Sequence, residues 1–207
     1  MLSVLTEIPS KIDNSLSIYE NCINLLLAYD LRQTAIHVSM VTKKAIELAR
    51  RFDCDIEKAE TAAVLHDVSV IIPNERRVEA AESLGIGLFE EEKNLPMIIH
   101  QRLSRKFASL YFGVDDKEIL DAITCHTTLW QNPTRLDMII FLADKICWDQ
   151  SGEPPYLETL NAGLDESLEK GAYATIKYMM DNQHKMVVVH PWLFGAQKYF
   201  DSLFEKN

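Results

Sequence analysis

An apolar run that carries a histidine and an aspartate side by side constrains this sequence more than any other feature. The run covers residues 62–68 and reads AAVLHDV, with His66 and Asp67 near its end. Aspartate is rarely buried unless it is paired or bound to a metal. A divalent metal would satisfy both side chains, and imidazole together with carboxylate suits iron, manganese or zinc. A core histidine that hydrogen-bonds its neighbour explains the run equally well. The choice between a metal site and a core histidine therefore depends on the rest of the sequence.

The spacing of the apolar residues predicts an all-α fold. Long patterns of helical period alternate with short breakers, and the 207 residues include only 7 glycines and 7 prolines. We expect a first helix that is capped by Ser15 or Ser17 and runs to about Tyr29, after a polar lead-in. Further helices are predicted at about 33–52, from 55 through the His66-Asp67 pair, and at 74–84, 97–112, 116–128, 138–146, 156–182 and 190–204.

Two stretches between these helices carry their own expectations. The charge run Glu90-Glu91-Glu92 is expected to face solvent. The breaker Pro154-Pro155 fits either a lid or a subunit contact, so a homodimer stays open.

Composition excludes several classes of protein. The net charge of −10 argues against a protein that binds the nucleic-acid backbone, which needs a basic face. No apolar segment is long enough to span a bilayer, and no signal peptide is recognisable. The cysteines are scattered and contain no CxxC pair, which indicates reduced thiols and a cytoplasmic location; they are Cys22, Cys54, Cys125 and Cys147.

Four histidines and two aspartates share one unusual setting, since each lies in or beside an apolar stripe. They are His37, His66, Asp67, His100, His126 and Asp144, and they fall on five different predicted helices. A helical bundle that turns these stripes inward would collect them at its centre, as bundles do when they build metal sites. Mixed imidazole and carboxylate ligands fit iron or manganese best, with zinc as an alternative. His184 and His190 lie near a polar turn and are not expected to be ligands.

This ordered set resembles the H…HD…D signature of the HD-domain metal-dependent phosphohydrolases. The additional His100 and His126 are similar to the subset that holds two metals. The sequence motifs are most similar to those of the YqeK family, and the resemblance covers residues 32–149. The motifs that carry it are Leu65-His66-Asp67, Ile99-His100, His126-Thr127-Thr128 and Phe141-Leu142-Ala143-Asp144.

The resemblance implies a single HD-type helical bundle over residues 1–207. Residues 1–30 would be an N-terminal extension, 32–149 the core and 150–207 the C-terminal helices. It also implies symmetrical hydrolysis of diadenosine tetraphosphate, a small-molecule nucleotide, into two ADP. One or two metal ions, iron first, would be held by His37, His66, Asp67 and Asp144, with His100 and His126 completing a second site and Asp67 bridging.

Three departures from the family pattern lie where the substrate phosphates or base would bind. Val68-Ser69-Val70 follows the His-Asp pair where many relatives have a lysine, and Gln101-Arg102 follows His100 where many have a glycine. Residues 145–150 replace the more usual Tyr-Ile-Glu-Pro. These departures leave three interpretations open: a dinucleotide hydrolase, an HD hydrolase of another nucleotide or phosphate ester, and a non-catalytic nucleotide sensor.

The expected catalytic residues are Asp67, Lys145 and Arg102. A bound metal would lower the pKa of its water from ~16 to about 7, and Lys145 and Arg102 would bind phosphate. Arg105 and Lys106 are expected at the surface. Thr127 could orient His126 or bind phosphate, and Trp148 or Trp130 could stack on a base or belong to the core.

Overall fold

The described part of the chain, residues 3–148 and 150–204 of a computed structural model, consists of helices joined by short turns and contains no β-strand. The predicted all-α fold is therefore confirmed. None of these helices has the length and apolar character that crossing a membrane requires. The helices are α1 (Ser3–Glu7), α2 (Ile18–Ala28), α3 (Arg32–Arg51), α4 (Ile56–Leu65), α5 (Arg77–Ser83), α6 (Glu90–Asn94), α7 (His100–Phe112), α8 (Lys117–Cys125), α9 (Arg135–Ile146), α10 (Leu157–Glu166), α11 (Leu168–Asp181) and α12 (Pro191–Phe204).

Side chains in the sequence set several of the helix ends. Side-chain oxygen atoms of five residues accept hydrogen bonds from backbone amides in the first turn of the helix that follows, which satisfies donors that a helix leaves unpaired. Gly113 ends α7 with a φ of 69°, a conformation that glycine adopts without strain. The five capping residues are Ser17, Asp55, Asp116, Thr134 and Ser167.

The centre of the bundle is formed where α3, α4, α8 and α9 pack on one another. Alanines on α4 are fully buried, namely Ala59, Ala62 and Ala63. Their small side chains let the neighbouring helices approach the end of α4 closely. The four cysteines all carry free thiols, and three of them are buried.

The single helix predicted over residues 156–182 is wrong, because the chain turns back on itself there. Ser167 has extended backbone angles of φ −164° and ψ 166°, and its hydroxyl accepts a hydrogen bond from the Lys170 amide at the start of α11. The two helices pack as a hairpin, α10 against α11. Gly163 permits the close approach, since a Cβ atom there would lie 2.6 Å from the Lys170 carbonyl oxygen.

The expectation that the run Glu90-Glu91-Glu92 faces solvent is wrong for Glu92, which is fully buried. Its Oε2 atom accepts a hydrogen bond from the Phe89 amide at 2.9 Å and lies 2.7 Å from Nη1 of Arg102. Its Oε1 atom lies 3.5 Å from Nε2 of His190. A buried carboxylate with a cationic partner and a backbone donor recovers much of its lost hydration.

Candidate metal centre

The His-Asp pair lies at a helix end rather than inside a helix, which corrects the sequence-based expectation. Helix α4 stops at Leu65, His66 occupies the next position, and Asp67 precedes the short 3-10 turn Val68–Ile71. Ser69 in that turn donates its hydroxyl proton to the His100 carbonyl oxygen at 2.8 Å. The stretch that departs from the family pattern therefore ties the pair to the start of α7.

Five helices bring all six predicted side chains to one point, here called the metal centre. One histidine lies within α3, one begins α7, one follows the end of α8, the His-Asp pair follows α4, and the second aspartate lies in the last turn of α9. These residues are His37, His100, His126, His66, Asp67 and Asp144.

One half of the metal centre is formed by His37, His66 and Asp144, together with one oxygen of Asp67. Nε2 of His37 lies 3.1 Å from Oδ1 of Asp144 and 3.4 Å from Nε2 of His66. Nε2 of His66 is 3.6 Å from Oδ2 of Asp67.

The other half contains His100 and His126, whose Nε2 atoms are 2.9 Å apart. The second carboxylate oxygen of Asp67, Oδ1, lies 3.3 Å from Nε2 of His100 and 3.6 Å from Nε2 of His126. Asp67 therefore faces both halves, one oxygen toward each, and each half offers ligand atoms close enough to share an ion.

Backbone hydrogen bonds fix which nitrogen of three imidazoles faces the centre. The Nδ1 atoms of His66, His100 and His126 lie within 2.8 Å of carbonyl oxygens three residues earlier in the chain, so each Nδ1 carries the proton it donates. The lone pairs on Nε2 are left pointing at one another. Metal ligands at about 2.1 Å from one ion are themselves about 3 Å apart, so these residues fit a divalent metal.

The pKa values of Asp67 and His126 in the metal centre are both lowered from their usual values. Burial acts to raise the pKa of Asp67, but the imidazoles of His66, His100 and His126 outweigh it and lower the pKa to about 2. Burial, with the neighbouring His66 and His100, lowers the pKa of His126 to about 3. The ligand atoms are therefore available in their metal-binding forms, a carboxylate and a neutral imidazole, at neutral pH.

A cavity of about 360 Å³, here called the polar cavity, opens onto the metal centre and is lined by Arg77 and Asn74. Arg77 is buried, and it donates from Nε to the Ile72 carbonyl at 3.0 Å and from Nη1 to the Met97 carbonyl at 2.8 Å. Burial lowers the pKa of Arg77, while the charge of Asp67 acts to raise it.

Sequence reasoning missed Arg77, although a signal was present. Arg77 shares a buried helical face with Ala80 and Ala81, at spacings of three and four residues. A charged residue in an otherwise apolar stripe is the same kind of exception that singled out the His-Asp pair.

The structure places the two predicted phosphate-binding cations differently from each other. Lys145 reaches the centre through Asp144, since its Nζ atom lies 2.8 Å from Oδ2 of that carboxylate. Arg102 pairs with the buried Glu92 and lies over the rings of Phe89 and Trp192. Arg102 is not among the described residues that line either cavity at the metal centre, so it is not brought to the position that phosphate binding requires.

Of the three other candidate substrate-binding residues, Thr127 and Trp148 lie at the metal centre, and Trp130 pairs with another residue. Thr127 contacts His100 rather than His126, with 3.2 Å between its hydroxyl and Nε2. Trp130 donates to Asp137 at 3.0 Å. Trp148 lines a second cavity at the metal centre, of about 280 Å³.

The six residues of the metal centre lie within the part of the chain that matches a known family. The family model of the HD domain matches residues 34–149. A Lactococcus lactis subsp. cremoris protein described as "uncharacterized protein in pepC 5'region" is 45% identical over 141 residues, which are 68% of this chain and 71% of that protein. A Bacillus subtilis protein named symmetrical bis(5'-nucleosyl)-tetraphosphatase is 36% identical over 113 residues, 54% of this chain and 59% of that protein.

A solved structure from Clostridium acetobutylicum extends the similarity to most of the fold. It is described as a predicted HD superfamily hydrolase involved in NAD metabolism, and it superimposes with a TM-score of 0.78 at 27% identity. The superposition covers 89% of this chain and 97% of that one.

Proposed function

Because this chain belongs to the HD domain family, we propose that it is a metal-dependent phosphohydrolase that cleaves diadenosine tetraphosphate symmetrically into two ADP. The observation that carries the proposal is the position of Asp67, whose two oxygens face two separate groups of imidazoles. The relative from Bacillus subtilis, whose name states this activity, supports the choice of substrate.

The metal ligands would be the six residues of the metal centre, with Asp67 shared between two ions. Bound there, divalent cations supply an acidified water molecule and neutralise charge on a phosphoryl oxygen. We propose iron as the native metal, since imidazole and carboxylate ligands occur together here, with manganese and zinc as alternatives.

The chain's own residues would bind the substrate phosphates and keep the metal ligands ionised. Arg77 uses Nε and Nη1 to bind backbone carbonyls, which fixes its guanidinium group beside the polar cavity, where it would bind a phosphate oxygen. Lys145 would keep Asp144 ionised through their contact. In the reaction, the oxygen of water joins one phosphorus of the central P–O–P bridge and the bridging oxygen leaves with the other half. The protons of the water are released to solvent, and each product is ADP.

The proposal is tested with a substrate panel on protein loaded with iron or manganese. ADP as the sole nucleotide product of diadenosine tetraphosphate supports it. Turnover confined to other phosphate compounds would replace it with a different HD-type hydrolase. Tight nucleotide binding without turnover under any metal would replace it with a sensor. The matched control is Asp67→Asn, which keeps the size of the side chain and removes its charge.

A cytoplasmic location and a homodimer remain predictions. The four free thiols are consistent with a reducing compartment.

A further inference from the structure

The second cavity at the metal centre differs in character from the polar cavity. It is here called the aromatic cavity, and Trp148, Ile36 and Met40 line it. The two cavities share His37, Asp67, Thr34 and Gln150 in their linings, so they form one continuous cleft. One end of this cleft is lined by the cationic side chain of Arg77 and by the metal ligands, and the other end is lined by large apolar side chains.

Two apolar side chains of the aromatic cavity are unusually open to solvent. Ile36 is 54% exposed and Met40 is 42% exposed. They lie four residues apart on α3, so they occupy the same helical face, and His37 follows Ile36 directly. Apolar surface left open beside a functional site is typical of a ligand-binding groove.

The third apolar side chain supplies a flat face. Trp148 is half-buried, and its ring packs edge-on against Tyr156 with 5.9 Å between centroids. That contact holds the indole at the wall of the cavity. Indole faces and methionine thioethers both pack well on aromatic rings.

Polar groups at the rim identify the kind of ring that would bind. Gln33 and Gln150 line the same cavity and are exposed. A primary amide offers donors and an acceptor together, which matches the mixed donors and acceptors along the edge of a nucleobase. An alkyl chain would form no hydrogen bond with either amide.

We infer that the aromatic cavity is the nucleobase subsite, in which the base of a nucleotide lies against Trp148, Ile36 and Met40 while its phosphates lie over the metal centre. This inference rests on the proposed function for the identity of the phosphate end. A nucleoside diphosphate has this division, with a flat ring at one end and phosphates at the other.

The test is calorimetric titration of the metal-loaded full chain with ADP and, separately, with inorganic pyrophosphate. Wild-type protein should bind ADP more tightly, because pyrophosphate has no base. Trp148→Leu should raise the dissociation constant for ADP about ten-fold, the usual order for one lost stacking contact. Met40→Ala should raise it several-fold, because a thioether contact with a ring is weaker. Their affinity for pyrophosphate should stay unchanged.

Two further variants make the result specific. Trp148→Phe keeps an aromatic face and should recover most of the ADP affinity. Leu110→Ala removes an apolar side chain that is 58% exposed on α7, outside the cleft, and should change neither affinity.

The inference is overturned if wild-type protein binds pyrophosphate as tightly as ADP, or if Met40→Ala and Trp148→Leu weaken both ligands equally or neither. Its failure is distinct from failure of the proposed function. Wild-type protein that prefers ADP to pyrophosphate, and loses that preference in the variants, supports the subsite even if diadenosine tetraphosphate is not hydrolysed.

Discussion

The Nε2 atoms of His100 and His126 lie 2.9 Å apart, and both rings donate their Nδ1 protons to backbone carbonyls. In that tautomer no proton remains to join the two Nε2 atoms, so their lone pairs repel. A cation between them removes the repulsion, and Asp67 supplies negative charge at 3.3 Å from one and 3.6 Å from the other. The arrangement is stable as a metal site and costly as a bare cluster.

The shared position of Asp67 predicts different metal losses for two variants. His126→Ala removes a ligand from one half and should lower the bound metal by about half, whereas Asp67→Ala should remove nearly all of it. Elemental analysis of the purified proteins gives the stoichiometry, and far-ultraviolet circular dichroism checks that the helices persist. Full metal content in Asp67→Ala would contradict the bridging role.

The Arg77 guanidinium group is expected to act on the substrate rather than on the fold alone. Arg77→Gln should lower kcat for the phosphate substrate about 100-fold, the usual effect of removing one charge-stabilising donor. Arg76→Gln is the matched control, because Arg76 is exposed and pairs with Glu79 within the same turn. Equal loss of activity in both variants would show that the effect is not specific to the cleft.

The residues of the metal centre could be predicted from the sequence because each one breaks an apolar stripe. A metal ligand must be polar and buried at once, and this conflict is visible without coordinates at His37 or Asp144. The same reasoning failed for Glu92, since a run of three glutamates resembles a solvated surface. Its partner Arg102 is ten residues away on α7, and His190 lies just before α12, so only the tertiary fold brings these two side chains to Glu92.

The break between α10 and α11 was missed for a related reason. The apolar spacing continues across Ser167, so periodicity alone favours one helix over residues 156–182. Serine occurs both at the caps of helices and inside them, so Ser167 alone does not mark the turn. The turn is fixed by the contact of the two helices at Gly163 and Gly171. Such tertiary contacts leave no periodic signal.

That contact predicts an unusual response to a glycine substitution. Alanine in place of a helical glycine normally stabilises a protein by up to about 1 kcal/mol. At Gly163 the added Cβ would meet the Lys170 backbone at 2.6 Å, so Gly163→Ala should instead lower the free energy of unfolding by about 1–2 kcal/mol. Gly87→Ala is the control, because nothing lies within 4 Å of a Cβ there. Urea unfolding of both variants decides the point, and equal stability would contradict the close packing.

The buried Glu92 predicts a stability effect that depends on pH. Burial acts to raise the pKa of Glu92, but contacts with His190, the Phe89 amide and Arg102 outweigh it and lower the pKa below its usual 4.5. A carboxyl group with a lowered pKa stabilises the fold fully above its unfolded value, and that contribution is lost as pH falls through the folded value. Glu92→Gln should therefore cost about 2 kcal/mol near pH 7, since it removes the charge from a hydrogen bond to Arg102, and the difference from wild type should shrink below about pH 4.5. Urea unfolding across this pH range measures it, with the exposed Glu90→Gln as control. A difference that stays constant into acid would show that the charge of Glu92 does not contribute.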